Sequence, residues 1–350
     1  MSQWRLDWPT SGGTRVARAL LKRSPEDFRV DEVLELPVQD ANAISGDPTT
    51  GAGEHLCLKL QKTGDNTEYV ARELARLAGS RHFDVGFCGL KDRHAVTCQW
   101  FSLYRPGGER QDSELIQVIG QRWPVLSACR QPRKLRRGEH SGNHFVITLR
   151  DVQGSRIEIE QALARLAEFG APNYFGPQRF GQAGANLDRA VSMDPSAMNR
   201  HAGSGRKRRG RGKRGGSEDS KNVLYFSAAR SWLFNEVLAA RVTDGSWRRE
   251  GATGPLWGDG GTTATGSTGA LERDVVARSP EVEAVFSSTR MKPERRALAL
   301  KPEKLTWQWL TEDCLELAFF LAPGQYATTM LGDLFELEDM SLGRHNDEQS

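Results

Sequence analysis

The chain has few cysteines, no Cys-x-x-Cys pair, no phosphate-binding Gly-x-x-x-x-Gly-Lys-Ser/Thr loop and no long apolar run. Each absence removes a class of function. The five cysteines, Cys57, Cys88, Cys98, Cys129 and Cys314, are scattered and odd in number, which argues against a disulfide framework and a zinc site and fits a reducing cytoplasm. The seven histidines are dispersed, and His94 and His144 read as surface or hydrogen-bonding residues. Without the phosphate loop a nucleotide cofactor has no support, and without a Gly-x-Ser-x-Gly elbow neither has a serine hydrolase of that type. No apolar stretch approaches the roughly twenty residues that span a bilayer. The segment Met1–Trp8 has no basic run leading into an apolar one, so no secretory signal is expected. Cofactor, metal and membrane are all expected to be absent.

Charge is present and unevenly placed. The net charge is only +3 over 350 residues, with 38% hydrophobic and 27% charged side chains, which suits a globular chain of two domains or one large one. Arg130, Arg133, Lys134, Arg136 and Arg137 crowd one short stretch. Arg206, Lys207, Arg208, Arg209, Arg211, Lys213 and Arg214 form a second, glycine-interleaved run with no acid among them. Such blocks suit a polyanion, because each neutralised phosphate releases counterions; a solvated face is the duller account of the first. A disordered loop at about 200–221 is expected for the second.

Patterning gives a coarse map. Residues 27–36 alternate apolar and polar side chains over their first half and read as a half-buried strand, with His55–Leu60 as its partner. Asn66 is a plausible N-cap for a helix carrying Val70, Leu74 and Leu77. Ser141–Arg150 reads as another strand, and Ile159, Leu163 and Leu166 mark a helix that stops at Gly170. Residues 185–240 read as helical around the basic run, 243–270 as loop, Leu315–Leu321 as a strand, and 326–335 as helix-like. Strands and helices do not alternate strictly, so the class is α+β with a mixed or antiparallel sheet.

Chemistry concentrates in Gly89-Leu90-Lys91-Asp92-Arg93-His94-Ala95-Val96-Thr97, a polar turn between two strand-like runs. Lys91 and Arg93 flank Asp92 and are expected to favour its charged form. An ionised carboxylate at a strand end could act as a nucleophile; a solvated turn is the alternative. A lone carboxylate, loop aromatics and basic stretches make sense together for chemistry on an RNA base, which is extruded and held by stacking and edge hydrogen bonds.

The string Gly-x-Lys-Asp-Arg-His-Ala-Val-Thr-x-Gln-Trp resembles the catalytic motif of the TruD family of tRNA pseudouridine synthases. Four further pieces match the family in order: Glu26–Val30, Gly142–Phe145, Asn173–Gly181 and Pro323–Thr329. The resemblance implies a catalytic pseudouridine synthase domain formed by residues 1–170 and 302–350, with an inserted family-specific α/β domain at 171–301. It implies isomerisation of a uridine in tRNA, position 13 in bacterial members, without a cofactor, the base being flipped into an aromatic-lined cleft between domains. Carried over by position, Asp92 falls on the catalytic aspartate, Phe28 and Asn143 on residues lining the uridine pocket, and Tyr326 on an aromatic that is often phenylalanine. Cys98 stands where a glutamate is common. Each residue also has a plainer reading: Phe28 as a core aromatic, Asn143 as a turn residue and Tyr326 as packing at a strand end. A non-catalytic RNA-binding protein and an aspartate-dependent glycoside hydrolase are the rivals, the latter needing a second carboxylate. The expected partner is tRNA, the expected state a monomer.

Overall fold

The structure, a computed structural model, describes residues 4–36, 39–40, 51–193, 215–287, 289 and 291–342. The disorder expected at about 200–221 falls largely on residues outside these. Along the chain the strands are β1 (Ala17–Leu21), β2 (Phe28–Val33), β3 (Gln39–Asp40), β4 (His55–Thr63), β5 (Gly86–Phe87), β6 (Val96–Tyr104), β7 (Val125–Gln131) and β8 (Gly142–Gly154). They continue with β9 (Ala171–Pro172), β10 (Thr253–Leu256), β11 (Glu294–Ala297), β12 (Ala299–Leu300), β13 (Glu303–Thr311), β14 (Cys314–Leu321) and β15 (Phe335–Asp339). The α-helices are α1 (Thr67–Leu77), α2 (Asp112–Gly120), α3 (Arg156–Phe169), α4 (Ala185–Val191), α5 (Gly215–Thr243), α6 (Gly266–Val276), α7 (Pro280–Ala284) and α8 (Ala327–Leu331).

The chain divides into two compact units. A sheet unit comprises Ala17–Arg156, Pro302–Gln325 and Glu336–Ser350; a helical unit comprises Met1–Val16, Ile157–Lys301 and Tyr326–Phe335. The bounds differ from the expected ones in that residues 1–16, α3 and α8 join the helical unit. The cause at the N-terminus is two indoles: Trp4 and Trp8 are buried there and donate to Asp188 (2.7 Å) and Glu236 (2.8 Å).

In the sheet unit the strand order is β13-β14-β8-β2-β6-β4-β7-β3, with β1 beside β8 and β15, and β5 beside β6. β2 and β6 are parallel, whereas β8 runs antiparallel to β2 and β14, and β4 to β6 and β7. The sheet is therefore mixed and the class α+β, as the unalternating pattern predicts. Strand periodicity sorts the side chains. Phe28, Val30 and Glu32 share one face with Phe145 and Asn143, Thr97 and Gln99, and Leu60 and Lys62, the residues opposite or in step with them across the ladders. Helices α1 and α2 cover part of that face through Val70, Leu74, Leu115 and Ile119 against Leu56, Leu58, Leu60 and Phe101. Asn66 caps α1 by accepting the Tyr69 amide at 2.8 Å. On the opposite face Cys57 and Cys129, in direct cross-strand register, pack with Cys88 and Trp100 as free thiols. Cysteines scattered in sequence thus meet in space as small buried hydrophobes. Among the described residues no His, Cys, Asp and Glu group could hold a metal ion, and no helix is long and apolar enough to cross a membrane.

The helical unit buries Tyr174, Phe175, Phe180, Phe226, Trp232, Phe234 and Phe286 in one cluster. The stretch 243–270, read as loop from its Gly, Thr and Asp content, holds β10, which pairs with β11; a four-residue strand containing Gly-Pro is defined by its partner forty residues on. Gly170 ends α3 at φ +78°, and a Cβ there would sit 2.2 Å from the Leu300 carbonyl oxygen. Both features demand glycine. Gly170→Ala should therefore lower stability by about 1–3 kcal/mol. Denaturant unfolding checks this, and an unchanged midpoint would contradict it.

Candidate active site

The turn before β6 is tied down by its own neighbours. Gln99 Nε2 donates to the Gly89 carbonyl at 2.5 Å, and the Thr67 hydroxyl donates to Gln99 Oε1 while accepting the Lys91 amide, each at 3.0 Å. Lys91 reaches back to Glu32 at 2.5 Å, and Glu32, fully buried, also accepts the Trp100 amide at 3.2 Å. Lys62 Nζ donates to the Asp65 carbonyl at 2.8 Å and the Asp92 carbonyl at 3.4 Å. Three residues of the string, Lys91, Gln99 and Trp100, thus fix the backbone that carries Asp92.

The Asp92 carboxylate is about one-third exposed and has two partners. One oxygen accepts the His94 amide at 2.9 Å; the other is hydrogen-bonded to Lys22 Nζ. Burial pushes the Asp92 carboxyl up, but the Lys22 hydrogen bond and charge, with the His94 amide, outweigh it and hold the group below the usual carboxylate range. Lys22 is 4% exposed, follows β1, and adopts φ +57°, a left-handed conformation uncommon outside glycine. Such strain persists where the surroundings over-determine it. Here they do, because the same ammonium lies 3.4 Å from Asp339 and 4.8 Å from the centre of the Phe28 ring.

The expected cations of Asp92 are therefore corrected. Lys91 is spent on Glu32, and Arg93 Nε donates to the Gly64 carbonyl at 3.0 Å; Lys22, seventy residues away, neutralises the charge. A lysine after a short apolar strand reads as solvated, so nothing local marks it. Lys62 was more legible, since Leu56, Leu58 and Leu60 predict an inward residue at 62. Phe28 is 5% exposed and meets Phe145 edge-on at 6.1 Å. Asn143 shares their face, and its buried Oδ1, like Thr97 Oγ1, has no protein partner among the described residues. Gly142 precedes it because a Cβ there would fall 2.2 Å from the Phe320 ring. Tyr326 belongs to the helical unit, where it precedes α8 and is 46% exposed. The basic stretch is not one face: Arg130 is 2% exposed and bound to Asp112 at 2.6 and 3.1 Å, and Arg133 pairs with Glu139. Lys134 Nζ donates to the Phe83 carbonyl at 2.5 Å.

Burial lowers the Lys62 ammonium from 10.5 to about 8 against the pull of Asp65 and Asp92. The native group loses its proton at lower pH than the unfolded one, so its contribution to stability rises between those two values. Wild type should gain up to about 3 kcal/mol over Lys62→Met between roughly pH 7 and 11. Denaturant unfolding at both ends tests this, and a constant difference would contradict it.

Residues 12–188 match the family model for tRNA pseudouridine synthase D (TruD). A tRNA pseudouridine synthase D of Marinobacter nauticus is 61% identical, the match covering 99% of each chain. That of Cellvibrio japonicus is 39% identical over 100% of this chain and 98% of its own. The fold is similar to a crystal structure from Methanosarcina mazei described as tRNA pseudouridine synthase D (TruD), with a TM-score of 0.63, 20% identity and coverage of 93% and 95%. With that string intact and its aspartate held ionised, the chain belongs to the TruD family of tRNA pseudouridine synthases.

Proposed function

We propose that the chain isomerises a uridine of tRNA, at position 13, to pseudouridine, with Asp92 as the catalytic nucleophile and no cofactor. Residues 1–170 and 302–350 serve as the catalytic domain and 171–301 as the family's inserted domain. The observation that carries this reading is an ionised yet partly exposed carboxylate held by a buried ammonium that lies over the Phe28 ring.

An enzyme acting on a base must take it out of the stack and hold it. Tyr326, at 46% exposure, is suited to stack on uracil, an interaction worth about 1–3 kcal/mol. Phe28 is suited to wall the pocket instead, because it is 5% exposed with Lys22 over its ring. The Asn143 Oδ1 atom, without a protein partner among the described residues, suits the N3–H of uracil. Asp92 then attacks C1′ of the ribose as the N-glycosidic bond breaks and N1 takes the electron pair. The base turns, C5 bonds to C1′ and releases the Asp92 carboxylate, and the proton lost from C5 is balanced by one gained at N1. Lys22 keeps the nucleophile charged and its oxygen aimed.

Asp339, the second carboxylate on Lys22, favours one alternative, a glycoside hydrolase using two acids. Its Oδ1 is occupied by Ser341, whose amide and hydroxyl donate at 3.0 and 2.5 Å. Unmodified tRNA incubated with the enzyme and mapped at nucleotide resolution should show pseudouridine; free uracil would favour the hydrolase. Asp92→Asn and Asp92→Ala should abolish the product and leave tRNA binding within a few-fold, whereas turnover near wild type would refute the role of Asp92. Lys22→Met leaves the burial of Asp92 without its counter-charge, so the acid limb of the pH–rate profile should move to higher pH. An unmoved limb would remove Lys22 from the site.

A further inference from the structure

The helical unit places two guanidinium groups on one aromatic ring. Arg296, on β11, lies 4.2 Å from the centre of the Phe175 ring, and Arg179, from the turn after Asn173, lies 5.5 Å from it. The ring is fixed: Phe175 is buried edge-on against Phe234 at 5.5 Å, and the Asn235 side chain bonds both its amide (2.8 Å) and its carbonyl (2.9 Å). The cations are aimed as well. Arg296 Nη2 donates to Oδ1 of buried Asn173 at 2.7 Å, and Asn173 is itself anchored on the Ala297 carbonyl at 2.9 Å. Arg179 Nε donates to the hydroxyl of buried Ser231 at 3.4 Å.

Two like charges sharing a ring repel. Burial lowers Arg296 to about 10; the Tyr326 hydroxyl opposes this and the Arg179 charge adds to it. The side chain that is exposed for stacking thus acts electrostatically on Arg296. The turn also meets the helix that Tyr326 starts, since a Cβ on Gly176 would contact Thr329 Oγ1 at 3.4 Å. Planar forks held at fixed angles match phosphate oxygens better than mobile lysines do.

We propose that Arg179 and Arg296 form a binding site for one phosphodiester of the RNA, beside the nucleotide that stacks on Tyr326. The site rests on the reading that the substrate is RNA and that Tyr326 takes the uridine. An anion between the forks relieves their repulsion and fixes the backbone of the extruded nucleotide, so binding energy from the phosphate positions the base.

The test uses the full chain and unmodified tRNA, with Arg179→Met and Arg296→Met, which keep the stacked hydrocarbon and remove the charge. Each variant should weaken tRNA binding about tenfold at low salt and reduce the slope of log K against log salt by about 0.7–0.9, the share of one phosphate. A neutral methylphosphonate, placed singly on either side of the target uridine, should weaken wild type at one linkage and have no further effect on Arg179→Met. Should Arg296→Met fail to fold, Arg179→Met and the methylphosphonates still decide. An unchanged slope, or silence at both linkages in wild type, would overturn the site. A reduced slope without any pseudouridine would sink the isomerase reading and leave the phosphate site standing.

Discussion

The hydrogen-bonded ion pair of Lys22 with Asp92 is the constraint around which the sheet unit is arranged. A carboxylate that is largely withdrawn from water drifts toward its neutral form. Here one ammonium reverses that drift, and the fold supplies it from the far end of β1 at the cost of a left-handed backbone. Removing Lys22 leaves the largely withdrawn Asp92 charge without its counter-ion, which costs more than the pair itself contributes. Asp339 on β15 takes the ammonium's other side, so three segments distant in sequence converge on one nitrogen.

Around this pair the polar string divides into chemistry and scaffolding. Asp92 carries the oxygen pair proposed to react. Lys91, Gln99 and Trp100 hold its backbone through Glu32, Thr67 and the Gly89 carbonyl, and Lys62 pins the turn from the neighbouring strand. Buried polar groups satisfied in this way rigidify the loop. The exposed edge of Asp92, and the Thr97 and Asn143 oxygens that have no partner among the described residues, stand apart from that network on the Phe28 side of the sheet.

Legibility followed the range of the interaction. Elements whose identity is local were readable: β2 and β4 from alternation, α1 from its Asn66 cap, the end of α3 from Gly170. Elements defined by a distant partner were not. β1 is five residues long, β13 is half exposed with a mixed pattern, and β10 contains Gly-Pro; each is a strand because of what it pairs with. The same rule governs the site. Asp92, Phe28 and Asn143 came from strings, whereas Lys22 and Asp339 carry no local mark. The adjacent cations misled for that reason: sequence neighbours Lys91 and Arg93 point elsewhere, and Arg130, which read as part of a basic face, is an interior pair with Asp112.

The central claim is electrostatic, that Asp92 is held ionised by a buried ammonium despite its own burial. Its most direct test is a carbon-13 NMR titration of the aspartate side-chain carboxyls in the wild-type protein, with the Asp92 resonance identified by its disappearance in Asp92→Asn. The account predicts a midpoint below that of an ordinary aspartate. A midpoint at or above the ordinary value would contradict it.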